Sequence, residues 1–497
     1  MTDNNNDDIF PQKQNMEKYF PEINKTIAVS KAISYSLLFS LQRQHLITQS
    51  QNERYIQAVP PIRMSPGEPY FLRLEKVSGS IDTSLQQQLV IPQTIPQTTL
   101  SACHNPGDDK LIFIISRNAT NNHIYLGSIS RDTSFVNDLK SFLEGDLPDT
   151  QLKLCFPTDE DFNTQIKTPM NNFKCATALT GIPSLNPAIN SNNYQIDRLL
   201  GSMGSDSQFI YMVIAEPMAE TEVNEIIYNL SELKALVSFL KQEVIFNNTL
   251  SEKISEQLEQ VNSRTEASEN TDTKSNSSQF NADPMEIVIK VLGTYFPKLK
   301  FVADLLPFLK INLESKEQRT QQEKETKTDE EKISKSDEST QSREQISQQK
   351  YINTQAQVLE KLIERYIERF ETARALGCWN VGVYFLAQRP DIVQRGVKFL
   401  KGLVSGEKSV LEPIRIHDLE SVLRASSSVY GDGSQQKFGA LDMLKQFEQP
   451  SLALVNPQNP QQLLNHPLGS AFNGLTTPLN TQELSFFINL PSNNYLR

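Results

Sequence analysis

Phe209-Ile210-Tyr211-Met212-Val213-Ile214-Ala215 is apolar at every position except for one tyrosine hydroxyl, and Glu216-Pro217 closes the run. A stretch this short, without alternation and rich in β-branched and aromatic residues, reads as a strand buried on both faces. Such a strand needs partners on either side and cover above and below. Lys110–Ser116 (KLIFIIS) and Ile124–Ser128 (IYLGS) qualify as partners, and the Asn-rich Arg117–His123 between them suits a hairpin turn. Leu152–Phe156 reads as a returning strand, and Cys378–Ala387 (CWNVGVYFLA) as another by its aromatic and β-branched content.

Helices supply the cover. Thr133–Leu143 places Phe135, Val136, Leu139, Phe142 and Leu143 on one face before Gly145 and Pro148. Ile196–Leu200 predicts a short helix ending at Gly201, Asp391 predicts the N-cap of a helix to about Val404, and Leu411–Ile416 reads as extended. This order implies an α+β fold with small mixed sheets and packed helices.

A helical arm divides the pattern. Apolar residues recur at three- and four-residue steps from Thr221 through Val244 and, past Asn247-Asn248, on to Val261, as in a coiled coil. Ile352–Leu376 carries a matching stripe of Leu359, Leu362, Ile363, Tyr366, Ile367 and Phe370, with Gly377 as C-cap, and is the natural antiparallel partner. Between them, Ser263–Asn281 and Glu314–Lys350 lack the apolar residues needed to offset chain entropy and read as disordered. They flank an apolar module at 285–313, broken by Pro297 and Pro307, with Lys290, Lys298, Lys300 and Lys310; it docks on this chain's own surface or on a membrane or partner. The resulting division is 1–70 helical or irregular, 71–220 the first half of the α+β domain, 221–262 the arm, 263–350 the insertion, 351–377 the return helix and 378–497 the second half.

The formal charge of −11 argues against bulk electrostatic binding to nucleic acid or an anionic membrane. Cys103, Cys155, Cys175 and Cys378 are widely spaced, with no C-x-x-C pair, and fit unpaired core thiols in a reducing, cytoplasmic setting. No basic stretch precedes an apolar run at the N-terminus, and Ile27–Leu41 is too short and Ser-rich to span a bilayer, so it reads as a packed helix. The five histidines are scattered without metal-ligand spacing, and Trp379 reads as a core anchor. No catalytic, cofactor or metal residue is expected.

A phosphate-binding loop would need two glycines four residues apart, followed directly by Lys and Ser or Thr, so that backbone N–H groups wrap the phosphates. In Gly402-Leu403-Val404-Ser405-Gly406-Glu407-Lys408-Ser409 the glycines stand one residue too close and Glu407 would put a carboxylate among the phosphates. A helix end followed by a turn fits better.

Several phrases carry a resemblance in their order: Lys110–Ser116 with Ile124–Gly127, Leu179-Thr180-Gly181-Ile182-Pro183-Ser184, Ile196–Leu200, Val213–Pro217, Ala373–Val381, Ser405–Ser409 with Glu412-Pro413-Ile414-Arg415, and Leu475-Thr476-Thr477 with Glu483-Leu484. Together, over roughly Phe71–Leu490, they resemble the region preceding the motor in bacterial HerA-like and conjugative-transfer ATP-binding proteins, which are hexameric DNA translocases. In those proteins the Leu-Thr-Thr and Glu-Leu phrase leads towards the ATP site. The resemblance implies a non-catalytic assembly or accessory region of a stand-alone, truncated or split translocase. Its partners would be a P-loop ATPase or the rest of a hexameric motor, and further copies of itself, with no direct nucleic-acid binding. The alternative is a coiled-coil scaffold or tether, cytoplasmic or peripheral to a membrane, acting through the arm and the 285–313 module. Candidate contact residues are Leu362, Tyr366 and Phe370 on the return helix, with Glu412 and Arg415, a charged pair on an otherwise apolar strand that reads as solvent-facing at a sheet edge or as an inter-subunit contact.

Overall fold

The computed structural model describes residues 34, 37–38, 40–47, 56–58, 67–77, 80–82, 88–90, 95–106, 109–118, 121–184, 195–204, 207–241, 353–419, 440–456 and 459–491. The chain divides into two compact units, one of Met1–Phe39 with Glu232–Ile363 and one of Ser40–Ser231 with Glu364–Arg497.

The second unit holds the strands β1 (Ile56–Ala58), β2 (Glu68–Lys76), β3 (Ser80–Asp82), β4 (Gln88–Val90), β5 (Leu111–Asn118), β6 (Asn121–Ser130), β7 (Gln151–Cys155), β8 (Cys175–Thr180), β9 (Phe209–Pro217), β10 (Cys378–Ala387), β11 (Arg415–Asp418), β12 (Leu452–Asn456), β13 (Asn459–Leu464) and β14 (Thr477–Asn480). Nine of the described strands form one sheet in the order β11-β8-β10-β9-β5-β6-β2-β7, with β14 alongside β10; β1-β12-β13 and β3-β4 form smaller ones. Every described pairing in the large sheet is antiparallel. The expectation of small mixed sheets is thereby corrected: both sides of the long insertion build a single antiparallel sheet, because β10 pairs along its length with β9 and, over Val383–Ala387, with β8 from the other side.

The register explains why the apolar runs show no alternation. One row of side chains crosses eight strands as Leu154, Leu72, Leu126, Phe113, Val213, Val383, Leu179 and Ile416. On this face Phe209, Tyr211, Val213 and Ala215 join a core capped by residues of helices Gln97–Ala102, Ser134–Asp146, Gln195–Ser202 and Pro390–Val404. The intervening Ile210, Met212 and Ile214 face a second core with Phe162, Ile166, Met170 and Leu444. Each fully buried aliphatic or aromatic side chain contributes roughly 1.5–3 kcal/mol, so burial on both faces makes β9 and β10 the energetic centre of the unit.

Helix limits follow local chemistry. Thr354–Leu376 stops at Gly377, whose φ of +98° is open to glycine at little steric cost. The helix expected from Asp391 begins instead at Pro390, with Arg389 as N-cap, since proline presets the first helical φ and lacks the N–H that would go unused there. Of the extended piece expected at 411–416, only Arg415 and Ile416 lie in a strand; Glu407–Val410 is a 3-10 turn.

The first unit contains part of the long helices Glu220–Lys241 and Thr354–Leu376. Asn353 begins the second with its Oδ1 accepting the Ala356 N–H at 3.1 Å while its Nδ2 donates to Ser34 Oγ at 3.2 Å, and Ser238 donates to Glu360 at 3.1 Å. The coiled-coil continuation to 261, the insertion and the 285–313 module lie outside the described residues, as does most of Ile27–Leu41. No described helix is long and apolar enough to cross a membrane.

Candidate functional site

Among the described residues of the second unit, a buried polar network surrounds Gly474–Asn489. Arg43, fully buried, sends Nη1 to Glu412 at 3.0 Å and to the Thr476 carbonyl at 2.7 Å, and Nη2 to the Gly474 carbonyl. The backbone of Arg43 adopts φ +50°, the left-handed region that a branched or long side chain seldom occupies. Tyr366 OH lies 3.2 Å from the carbonyls of both Leu41 and Leu411. Arg369 grips Glu483 with two 2.7 Å bonds, from Nε and Nη2, and also donates to the Pro478 carbonyl.

Glu483 is itself anchored. Its Oε2 accepts the Asn480 N–H at 3.1 Å, and Asn480 Oδ1 accepts the Glu483 N–H at 2.8 Å, a reciprocal cap for Thr481–Leu484. Trp379 Nε1 donates to Thr481 Oγ1 at 3.1 Å, and Thr481 Oγ1 donates to the Leu376 carbonyl at 2.7 Å. Gly181 N–H donates to Thr477 Oγ1 at 3.0 Å and Tyr211 OH to the Phe487 carbonyl at 2.8 Å.

Burial sets the charge states. Burial works against the charge of Arg369, but Glu483 more than offsets it and its pKa lies above the ordinary arginine value. The Tyr366 phenol is pushed up by burial and by the Glu412 carboxylate. Burial, then Arg43 and Arg415, lower His417 to about 3, with its Nε2 2.8 Å from Thr180 Oγ1. Burial lowers His466 to about 3 as well; its Nδ1 accepts the Leu468 N–H at 3.1 Å, so Nε2 carries the proton facing the Ser40 carbonyl at 3.1 Å. Both imidazoles are neutral at physiological pH.

All five expected contact residues are buried: Glu412 at 1% exposure, Arg415 at 9%, Leu362 at 7%, and Tyr366 and Phe370 at 0%. Neither Glu412 nor Arg415 faces solvent. Glu412 precedes β11 and turns to Arg43, and Arg415 on β11 sits within electrostatic reach of Glu412. Glu412 and Tyr366 belong to the Arg43 network, while Phe370 stacks near Tyr366 with ring centroids 6.5 Å apart. Leu362 belongs to the other unit.

Sequence reading missed Arg43 and Arg369, and took Glu483 only as part of the phrase that carries the resemblance. Arg43 carries no local signal. Arg369 stands three residues after Tyr366, at helical spacing on the apolar stripe, and a charge there is the mark of a buried partner. Cys103, Cys155 and Cys378 are buried and Cys175 half-buried, none of them in a disulfide. Among the described residues no three His, Cys, Asp or Glu side chains gather as metal ligands. Neither family models, curated proteins nor solved structures give a match to this chain.

Proposed function

We propose that the chain is a non-catalytic assembly region of a HerA-like DNA-translocase type, acting through protein–protein contacts with a P-loop ATPase and with further copies of itself. The observation supporting this reading is the convergence of the phrases that carry the resemblance. Ile182 N–H bonds the Glu412 carbonyl, Ser409 Oγ donates to the Ile182 carbonyl, Gly181 bonds Thr477, and Trp379 bonds Thr481 beside Glu483. Four of the phrases, from Leu179 to Leu484, thus meet in one packed region instead of scattering over the surface. A preorganised segment at 474–490, fixed by the buried Arg369–Glu483 pair and by the bonds of Arg43 to the Gly474 and Thr476 carbonyls, offers a rigid base from which a motor could be held. Rigid elements position a partner better than loops do.

The test is to purify the full chain, alone and co-expressed with a hexameric HerA-like P-loop translocase, and to follow mass by light scattering and ATP turnover by phosphate release. The expected result is an oligomer, or a stable complex with the ATPase, and no turnover by the chain alone. Turnover that survives removal of contaminants would overturn the reading, as would a strict monomer that fails to bind the ATPase.

A further inference from the structure

The network around Glu412 contains more buried positive charge than negative. Arg43 is 0% and Arg415 9% exposed, and Glu412 is the carboxylate within reach of both. Glu412 bonds Arg43 directly, whereas Arg415 makes no ion pair or side-chain hydrogen bond among the described residues. Arg415 Nη1 and Arg43 Nε are both sealed from solvent without an acceptor. The other titratable neighbours add no negative charge: Tyr366 holds its proton and His417 is neutral.

Sealing one partnerless charged donor is costly, and a buried cation whose partner is removed costs more still. Two such donors in one network mark a place where an acceptor belongs. Guanidinium groups match the planar or tetrahedral array of oxygens in carboxylates and phosphates better than they match a halide. Arg415 keeps 9% exposure and its strand, β11, is the last at its end of the described sheet, the side from which a ligand would reach the two sealed nitrogens.

We propose that Arg415 and Arg43 form an oxyanion-binding site, in which Arg415 Nη1 and Arg43 Nε donate to a small phosphate- or carboxylate-type anion entering at the β11 edge. Glu412 then fixes Arg43 and leaves the second guanidinium for the ligand. Arg415 is the ligand-binding cation, and Arg43, tied to Glu412, Thr476 and Gly474, gives the site its rigid wall.

The experiment uses the full chain at fixed ionic strength, with phosphate, sulfate or acetate replacing chloride, and reads thermal unfolding and calorimetric binding. Wild type is expected to show a saturable rise in Tm with oxyanion, and Arg415→Met to lose it while remaining at least as stable as wild type in chloride. Should Arg415→Met fail to fold, Arg415→Lys keeps the charge without the fork and is expected to raise the half-maximal concentration about tenfold. No oxyanion-specific rise in wild type, or an equal response in the variant that folds, overturns the site. Phosphate and sulfate acting at lower concentration than acetate upholds it with a tetrahedral ligand; acetate acting at the lowest concentration upholds it with a carboxylate ligand.

Discussion

Arg369 and Glu483 stand 114 positions apart in sequence and meet through two parallel 2.7 Å bonds, with side chains only 8% and 7% exposed. The pair clamps the capped turn Thr481–Leu484 to the end of the long helix. Removing either partner alone strands a buried charge, so Arg369→Ala or Glu483→Ala is expected to cost about 3–5 kcal/mol in urea unfolding. The double replacement Arg369→Met with Glu483→Leu is expected to recover most of that loss. A double no more stable than the singles would show that the clamp's geometry matters more than its charges.

Stability is expected to fall with acid before the carboxylates titrate. His417 and His466 have folded pKa values of about 3, below the ordinary imidazole value, so the unfolded chain binds the extra protons. Their contribution is complete above about pH 6.5 and declines as pH falls towards 3, on the order of 1 kcal/mol per histidine between pH 6.5 and 5.5. Urea midpoints across this range test it, and His466→Gln should flatten the profile. A midpoint unchanged from pH 7 to 5 would contradict the burial of both rings as neutral bases.

Gly181 and Gly377 hold backbone conformations closed to other residues, with φ of +114° and +98°. A Cβ at 181 would lie 2.5 Å from the Pro413 carbonyl oxygen, and one at 377 would lie 2.8 Å from the His104 ring. Gly181→Ala meets rigid backbone and is expected to be the worse of the two, at several kcal/mol; Gly377→Ala meets a side chain and is expected to cost about 1–3 kcal/mol. Thermal unfolding of the two variants side by side decides the order.

Thiol labelling is expected to be selective. Burial pushes the Cys103 and Cys378 thiols up to about 12, so little thiolate forms, and both are 5% exposed or less. Cys175, half-buried, should react first with a disulfide reagent in the native protein, and Cys103 and Cys378 only after unfolding. Peptide mass mapping at short times reads the order directly.

The strands were legible where chemistry is local. Phe209–Ala215 and Cys378–Ala387 declare themselves because burial on both faces removes polar residues from every position, and Gly377 marks its helix end because few residues accept φ +98°. Sheet order was not legible, since β10 lies between β8 and β9 by pairings that no local spacing encodes. The polar network hid for the same reason. Glu412 and Arg415 stood out as charges in apolar surroundings, which resembles an exposed edge until Arg43, hundreds of residues earlier, is known to be the partner.

The place of β10 also dictates a timetable. The neighbours of β8 are β10 and β11, both made after the chain has passed through 242–353, so β8 waits unpaired while β9, β5, β6, β2 and β7 already have one another. On a ribosome adding about 5–20 residues per second, that wait lasts on the order of ten seconds, with the edge of β9 open beside it. The nascent chain is therefore at its most adhesive in the middle of its own synthesis, and an open strand edge at that stage is where a chaperone, or a neighbouring copy, would first take hold.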